Sequence, residues 1–573
     1  MIADPIWDLR HGDADDNRLS TQGGGLRGLV LSAALEFNYL KALIGFGALI
    51  LGPAIVIGAI PPLVFAFGRL KLHTAAWAAY APGVAVVVFG VLLGLAFWIG
   101  RPLLSAAIEK FWHLHYSFVF PLFVAVREIL RSVAEWFPGQ RDAWEQIERR
   151  RRLGNILGSL LIGGGGLALA ASFGLSTRLQ FADAEGISTW PLLKATLSNA
   201  AVILGLSACA ESVYWVWREL RFRGRVRDWA PDALDLAVPT VRVAHLSDPH
   251  FVGERYGYRM QSGTNGPQGN NCIYSAMRRL AQIHNANPVD RILITGDITD
   301  AGTRAEWAEF ADTMEQFPEL KSRLSFVPGN HDMNVVDRNN PGRYELTWSA
   351  GQPLRQFRTV LTLDMFQGGR AHVVDRTTGA LGPSLSEYLR SGDRLDRLRA
   401  LAERAAIRGR REMTEVWDAI FPLVELPPPG ARYGLILLNS NARSHFSLTN
   451  AIGVVGPSQL KAMKSILSGF PETLWLILLH HQVVEYPAPS ISLTDRIGLA
   501  LVNAPDVLDA VARHSPRCVI LHGHRHRDWI GTCSGVVLCS APSVTLDGSF
   551  FIHELAAAQG SLGLAGTQRI QTP

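Results

Sequence analysis

Cysteine is scarce in this chain. Its five residues (Cys209, Cys272, Cys518, Cys533 and Cys539) form no CxxC pair and leave one over. A disulfide framework is therefore not expected, and a reducing compartment suits the count. The first 25 residues hold no apolar core ending in a small-residue cleavage site, so no cleaved signal peptide is expected. The positive excess is only +5 over 573 residues. No basic stripe is interleaved with aromatics, which argues against a nucleic-acid partner. No serine or cysteine has a convincing base nearby, so a covalent intermediate is not expected either.

Long uncharged runs, by contrast, fill the first 220 residues, while the remainder has the mixed polarity of a soluble α/β domain. Four stretches are long enough to span a bilayer as helices: 42–67, 75–100, 153–176 and 193–217. The third contains Gly163 to Gly166, which predicts close helix packing. The fourth has Lys194 and Glu211 near its ends, with Trp190, Trp215 and Trp217 placed as an aromatic belt. Arginines gather in 101–152 and after the fourth span, at Arg218, Arg221, Arg223, Arg225 and Arg227, while the opposite connections carry few. By the positive-inside rule both termini face the cytoplasm. The stretch from Phe111 to Val126 is read as an interfacial or re-entrant amphipathic helix, because a fifth span would place arginine-rich ends on both sides. The expected layout is a cytoplasmic segment 1–40 and a transmembrane helical domain 41–217 with a cytoplasmic loop 101–152. A basic juxtamembrane linker 218–239 and a soluble domain 240–573 follow. The protein would be multi-pass in an inner or plasma membrane.

Beyond residue 239 short β-rich apolar runs alternate with helical patterns. Val241–Leu246, Arg291–Thr295, Leu324–Val327, Tyr433–Leu438, Leu474–Leu479 and Cys518–Leu521 read as buried strands. Helical patterns fall at 271–287, 303–317, 457–468 and 504–513. This is an α/β plan, which places functional groups at the carboxyl ends of strands. Residues 253–270 are glycine-rich and read as a flexible loop. The insertion 335–430 exceeds an ordinary connection and includes a charged helical stretch, Arg390 to Arg411; it is read as a lid, or else as a surface excursion.

Five polar blocks occupy the strand ends: Asp248-Pro-His250, Gly296-Asp297-Ile-Thr-Asp300, Gly329-Asn330-His331-Asp332, His480-His481 and Gly523-His524-Arg-His526. Together they offer enough oxygen and imidazole donors for two divalent cations, with one carboxylate to bridge them. Asp248 and His250 can hold one ion, and Asp297 can place one oxygen on each. Asn330 and His480 suit the second ion, although His481 competes with His480 for that role. His331, beside a ligand, is the natural general acid, with Asp332 expected to orient its ring. Asp300 is expected to hold a ligand from behind, and His522 to pack or do the same. His245, on the first strand, is read as structural.

The order DxH, GDxxD, GNHD, His, GHxH resembles the calcineurin-like metallophosphoesterase superfamily over roughly residues 241–556. The wording HLSDPH, with GVVGPSQL at 453–460, looks most like its cyclic-nucleotide phosphodiesterase branch, class III. The resemblance implies an αββα sandwich with two divalent metals (manganese, iron, zinc or cobalt). It assigns His524 to the second ion and His526 to the first. The implied reaction is hydrolysis of a phosphodiester by a hydroxide bridging the metals. Hydrolysis of a phospholipid or nucleotide-lipid pyrophosphate is the alternative, and a non-catalytic membrane sensor or scaffold a further one. Expected partners are a phosphoester substrate and the lipid bilayer.

Overall fold

The computed structural model describes residues 51, 54–55, 120–136, 144–175, 189–221, 224, 226–229, 240–253, 269–336, 345, 349–376, 378–404, 407–444, 447–485, 501–558 and 561–572. The chain divides into two compact units, one spanning residues 38–222 and the other comprising 1–37 with 223–573.

In the first unit, helices Phe120–Trp136, Trp144–Ala170 and Thr189–Arg221 are described, the second continuing through one π-helical turn, Ala171–Leu175. Among the described residues, two segments are long and apolar enough to cross a membrane, Arg149–Phe173 and Trp190–Arg221. They coincide with the third and fourth expected spans; 42–67 and 75–100 lie almost wholly outside the described residues. The glycine run does bring backbones together. A Cβ on Gly166 would stand 2.6 Å from the carbonyl oxygen of Gly205, and one on Gly163 would stand 2.5 Å from Ser212 Oγ. Leu153, Leu157, Leu161, Leu167, Leu197 and Val213 point outward from this pair. The helix read as interfacial over 111–126 is seen from Phe120 and continues to Trp136, with buried Glu128 paired to Arg127 at 2.8 Å and to Arg131 at 3.3 Å.

The second unit is built on two sheets. Strands are β1 (Val226–Asp228), β2 (Thr240–Leu246), β3 (Arg291–Ile294), β4 (Leu324–Phe326), β5 (Ala371–Val374), β6 (Leu381–Ser384) and β7 (Leu423–Glu425). They continue with β8 (Tyr433–Leu437), β9 (Leu474–Leu478), β10 (Cys518–His522), β11 (Trp529–Cys533), β12 (Val536–Ser540), β13 (Ser549–Ala558) and β14 (Ser561–Gln571). One sheet runs β14-β13-β2-β3-β4 and the other β1-β11-β12-β10-β9-β8-β7-β5-β6. The six strands β2-β3-β4 and β8-β9-β10 form one parallel run in each sheet, the second continued by β12, which is parallel to β10. All six were expected from their apolar runs, and their inward residues share one core with helices Asn271–Ala286 and Arg304–Glu315. Burying these faces supplies the main stabilisation, at about 25 cal/mol per Å² of apolar surface. The parallel arrangement delivers six carboxyl ends to one region, which positions the site.

The insertion 335–430 is not a lid in its described part. Its strands β5, β6 and β7 extend the larger sheet beyond β8, and Leu354, Phe357, Val360, Leu398, Leu401, Met413 and Trp417 enter the common core. The charged stretch forms helices Arg394–Arg404 and Ile407–Ile420, amphipathic and packed through their apolar sides. The physical reason is burial: a lid needs a surface that can leave water and return, and these side chains never face water.

Candidate metal centre

Six non-glycine residues among those described have positive φ, and five of them are expected ligands: Asp248 (50°), His250 (47°), Asp297 (49°), His524 (71°) and His526 (50°). This left-handed region costs an L-residue about 1–3 kcal/mol and persists where surrounding contacts enforce it. Here the enforcement is a set of backbone cross-links between loops. Asp248 N–H donates to the Gly296 carbonyl (3.1 Å), His250 N–H to Asp297 (3.0 Å) and Gly523 N–H to His480 (3.0 Å). Each of these five positions thus turns its side chain sharply off a strand end toward the same point.

The glycines that open three of the blocks are wedged against ligands from other loops. A Cβ on Gly296, whose φ is +97°, would lie 2.5 Å from His480 Nδ1; one on Gly329 would lie 2.1 Å from Asp297 Oδ1; one on Gly523 would lie 2.6 Å from Asp248 Oδ2. Absence of a side chain there is what allows the loops to converge.

Among the described residues, three groups of donor atoms converge: Asp248, His250 and His526; Asp297, His480 and His524; and His250, Asp297 and His331. The first two are the two ligand sets expected from sequence. Asp297 lies 3.3 Å from His480 Nε2 and 3.9 Å from His250 Nε2 through the same Oδ2. It stands between the two sets, as a bridging carboxylate must. Asn330 Oδ1 is 3.1 Å from His480 Nε2 and completes the second set. Asp248 Oδ1 is 3.3 Å from His526 Nε2, and His524 Nε2 is buried with no hydrogen-bond partner. Buried imidazole and carboxylate atoms converging from separate loops fit divalent cations, and the nitrogen–oxygen donor set suits manganese, iron, zinc or cobalt.

Burial would raise the Asp297 carboxyl, but the rings of His480, His331 and His250 outweigh it and hold it well below the usual carboxylate range. Burial opposes charging of His480, yet Asp297 beside it pushes the ring up to about 9. His524 goes the other way, held neutral by burial and then by the neighbouring rings of His481 and His480. A neutral imidazole is the form that ligates.

The remaining expected residues sort themselves by contact. His480, not His481, faces the cluster: the His481 ring spans Ser440 Oγ (2.8 Å) and the Ala451 carbonyl (3.1 Å). Asp300 Oδ1 stands 3.6 Å behind His250 Nδ1, as expected of a residue that holds a ligand. His522 ends β10, fully buried, and belongs to none of the three groups; burial pushes it down to about 4.

Asp332 does not orient His331. The His331 Nδ1 meets the Asp300 backbone carbonyl at 2.7 Å instead. The Asp332 carboxylate accepts from Gly329 N–H (2.8 Å), Ile298 N–H (3.2 Å), Thr299 N–H (2.8 Å) and Thr299 Oγ (2.6 Å). It staples the second and third ligand loops together. The reason is local: Asn330–Met333 is one helical turn, and a carboxylate three residues after Gly329 folds back to its N-terminus.

Two contributors had no expected role. Ser440, at the end of β8, accepts the backbone N–H groups of both His480 and His481 at 3.2 Å. Thr299 anchors Asp332 from within the Gly296–Asp300 block. Ser440 had a readable signal, its place just after a parallel strand among ligand-bearing ends; Thr299 had none.

Residues 241–399 match the family model described as calcineurin-like phosphoesterase. No curated protein matches the chain. Among solved structures, a candidate 5′-nucleotidase from Staphylococcus aureus in complex with α-ketoglutarate is 10% identical, with 58% of this chain and 54% of that one covered at a TM-score of 0.30. Purple acid phosphatase PPD1 from yellow lupin (Lupinus luteus) seeds is 12% identical, with 58% and 52% covered at 0.29. Calcineurin-like phosphoesterase YfkN from Bacillus subtilis is 12% identical, with 58% and 90% covered at 0.23. The chain spans about half the length of the first two. These likenesses are too distant to carry an argument. The family match and the converging ligand loops do carry one: residues 241–399 match a calcineurin-like phosphoesterase domain, and the candidate ligands in and beyond that stretch meet at one point.

Proposed function

We propose that this chain hydrolyses a phosphodiester, a cyclic nucleotide or similar compound, from a catalytic domain held at the cytoplasmic face of a membrane. The observation that supports the reaction is the meeting of two ligand sets at Asp297 with His331 beside them. Asp248, His250 and His526 would hold one ion; Asn330, His480 and His524 the other; Asp297 both. Divalent ions held by these residues would supply Lewis-acid polarisation of a phosphoryl group and a more acidic water near neutral pH. The residues do the rest. His331 donates Nδ1–H to the Asp300 carbonyl, since a carbonyl only accepts, which leaves its Nε2 to exchange a proton with the leaving oxygen. Asp332 and Ser440 keep the ligand loops in register, so attack and departure stay in line.

Membrane attachment is supported by the two apolar helices and their outward leucines. The same observation favours a second reading, in which the substrate is a phospholipid or nucleotide-lipid pyrophosphate met at the lipid surface. A manganese-supplemented assay of the full chain in detergent separates them. It compares bis-p-nitrophenyl phosphate, p-nitrophenyl phosphate, cyclic AMP and a nucleotide-linked lipid. Turnover of the diesters and loss in Asn330→Ala and His331→Ala is the expected result. No turnover of any substrate by a folded, metal-loaded chain would overturn the reading. A reporter fused after Pro573 should be cytoplasmic; its appearance outside would overturn the orientation.

A further inference from the structure

A file of buried side chains crosses the smaller sheet behind the metal centre. Thr567 Oγ on β14 is 2.9 Å from His553 Nδ1 on β13, and His553 Nε2 is 3.2 Å from His245 Nδ1 on β2. His245 Nε2 is 3.1 Å from Thr295 Oγ, Thr295 Oγ is 2.9 Å from Ser247 Oγ, and Ser247 Oγ is 2.5 Å from Asp248 Oδ2. His245, His553, Thr295 and Ser247 are all completely excluded from water. Only Thr567 is partly exposed.

The direction of every hydrogen bond follows from its last member. The Asp248 carboxylate only accepts, so the single Ser247 proton goes to it. Ser247 Oγ can then only accept from Thr295, whose hydroxyl lies closer to it (2.9 Å) than to the Leu246 carbonyl (3.3 Å), and Thr295 accepts from His245 Nε2–H. A neutral His245 has a lone pair on Nδ1 and so accepts from His553 Nε2–H. His553 Nδ1 accepts from Thr567. Both rings are neutral: burial holds His245 well below the ordinary histidine range, and burial takes His553 down to about 3. One tautomer, Nε2–H, is therefore fixed at both positions. Rings this hard to charge make a poor proton conductor and a good rigid spacer.

We infer that Thr567, His553, His245, Thr295 and Ser247 form a one-way donor chain that positions Asp248 for metal binding. Its end point explains which carboxylate oxygen binds the ion. Oδ2 receives Ser247 and also the His524 backbone N–H at 3.1 Å, while Oδ1 has no hydrogen-bond partner and faces His526. Without Ser247, the His524 N–H would be the one hydrogen bond to this carboxylate among the described residues, on a strained backbone. The chain converts one strand end into a fixed ligand, and His245 and His553 are positioning residues that touch neither metal nor substrate.

The inference rests on the dinuclear reading above, and the test keeps the two apart. Metal-free full-length protein in detergent is titrated with Mn²⁺ by calorimetry, and with Co²⁺ by visible absorption, which reads ligand geometry. Wild type is expected to take two ions. His553→Phe should weaken one of the two by about 10-fold, the scale for partners behind a metal ligand, and leave the other unchanged, since Asp248 belongs to one set only. Its Co²⁺ spectrum should change. His553→Gln, whose side-chain N–H can still donate to His245, should restore both. Thr295→Val, nearly isosteric, breaks the file in its middle and should reproduce the loss; it decides the matter if His553→Phe does not fold. Wild type binding two ions while Thr295→Val binds both with unaltered affinity and spectrum would overturn the donor chain alone. Equal losses in His553→Phe and His553→Gln would also overturn it, since they would mark a packing effect. Wild type that binds no ion would overturn both readings.

Discussion

Gly329→Ala is the sharpest test of how the site is assembled. Gly329 has φ −98° and ψ −179°, which any residue can adopt, so backbone strain is not at issue. Space is. The added Cβ would stand 2.1 Å from both the nitrogen and Oδ1 of Asp297, against a lower limit near 3.0 Å for real Cβ contacts. The two loops must therefore part by about 0.9 Å, the difference between those distances. They cannot part freely, because Asp332 pins Gly329 to Ile298 and Thr299. A misplacement of about 1 Å costs about 100-fold in rate where geometry governs the reaction, and overpacking costs about 1–3 kcal/mol of stability. We expect kcat on bis-p-nitrophenyl phosphate to fall by about that factor, with metal content by mass spectrometry below two ions per chain. Gly456→Ala is the control, since its Cβ would meet nothing closer than 3.9 Å, and it should behave as wild type. Gly329→Ala with wild-type turnover and two bound ions would refute the claim that this glycine sets the position of the shared carboxylate.

Three further outcomes are expected. His480→Gln should lose one bound ion and nearly all activity, whereas His481→Gln should retain both ions, because the His481 ring is already engaged by Ser440 and Ala451; equal ion loss in the two would show the assignment to be reversed. Glu425 is buried between the sheets, accepting from Ser325 Oγ at 2.7 Å and pairing with Arg370 at 3.0 Å. Glu425→Ala leaves those groups without it and should lower stability by about 3–5 kcal/mol in a thermal melt, without changing the metal affinity of the folded protein. Burial, and then the charge of Asp300, push Glu306 up to about 8 from 4.5. A carboxyl raised in the folded state adds stability below its unfolded value, and that stability is lost as pH rises through 8. Wild type should thus lose melting temperature between pH 5 and pH 9 relative to Glu306→Gln; parallel curves would exclude the shift.

The metal ligands were legible because each block is short and follows an apolar strand, so local pattern alone places it at a strand end. The central parallel strands were legible for the same reason. Strands β5 to β7 were not: they are three or four residues long, and their assignment depends on pairing with β8, across a segment whose charges suggested a surface excursion. Asp332 was misread because adjacency to His331 in sequence suggests contact. In a helical turn adjacent side chains diverge, and the i to i+3 spacing from Gly329 was the better guide. The donor chain behind Asp248 was illegible, since its members come from four strands and meet only in the sheet.

The left-handed backbone at five ligand positions limits how this family of loops can change over generations. Asp, Asn, His and Gly tolerate that conformation, while β-branched residues do not. A lineage that no longer needed metal would not drift freely at Asp248, His250, Asp297, His524 or His526. Its first accessible replacements would be Asn and Gly, with Val, Ile and Thr excluded by the main chain alone. A retired copy of this site should therefore be recognisable by asparagine and glycine at these positions, long after any metal has gone.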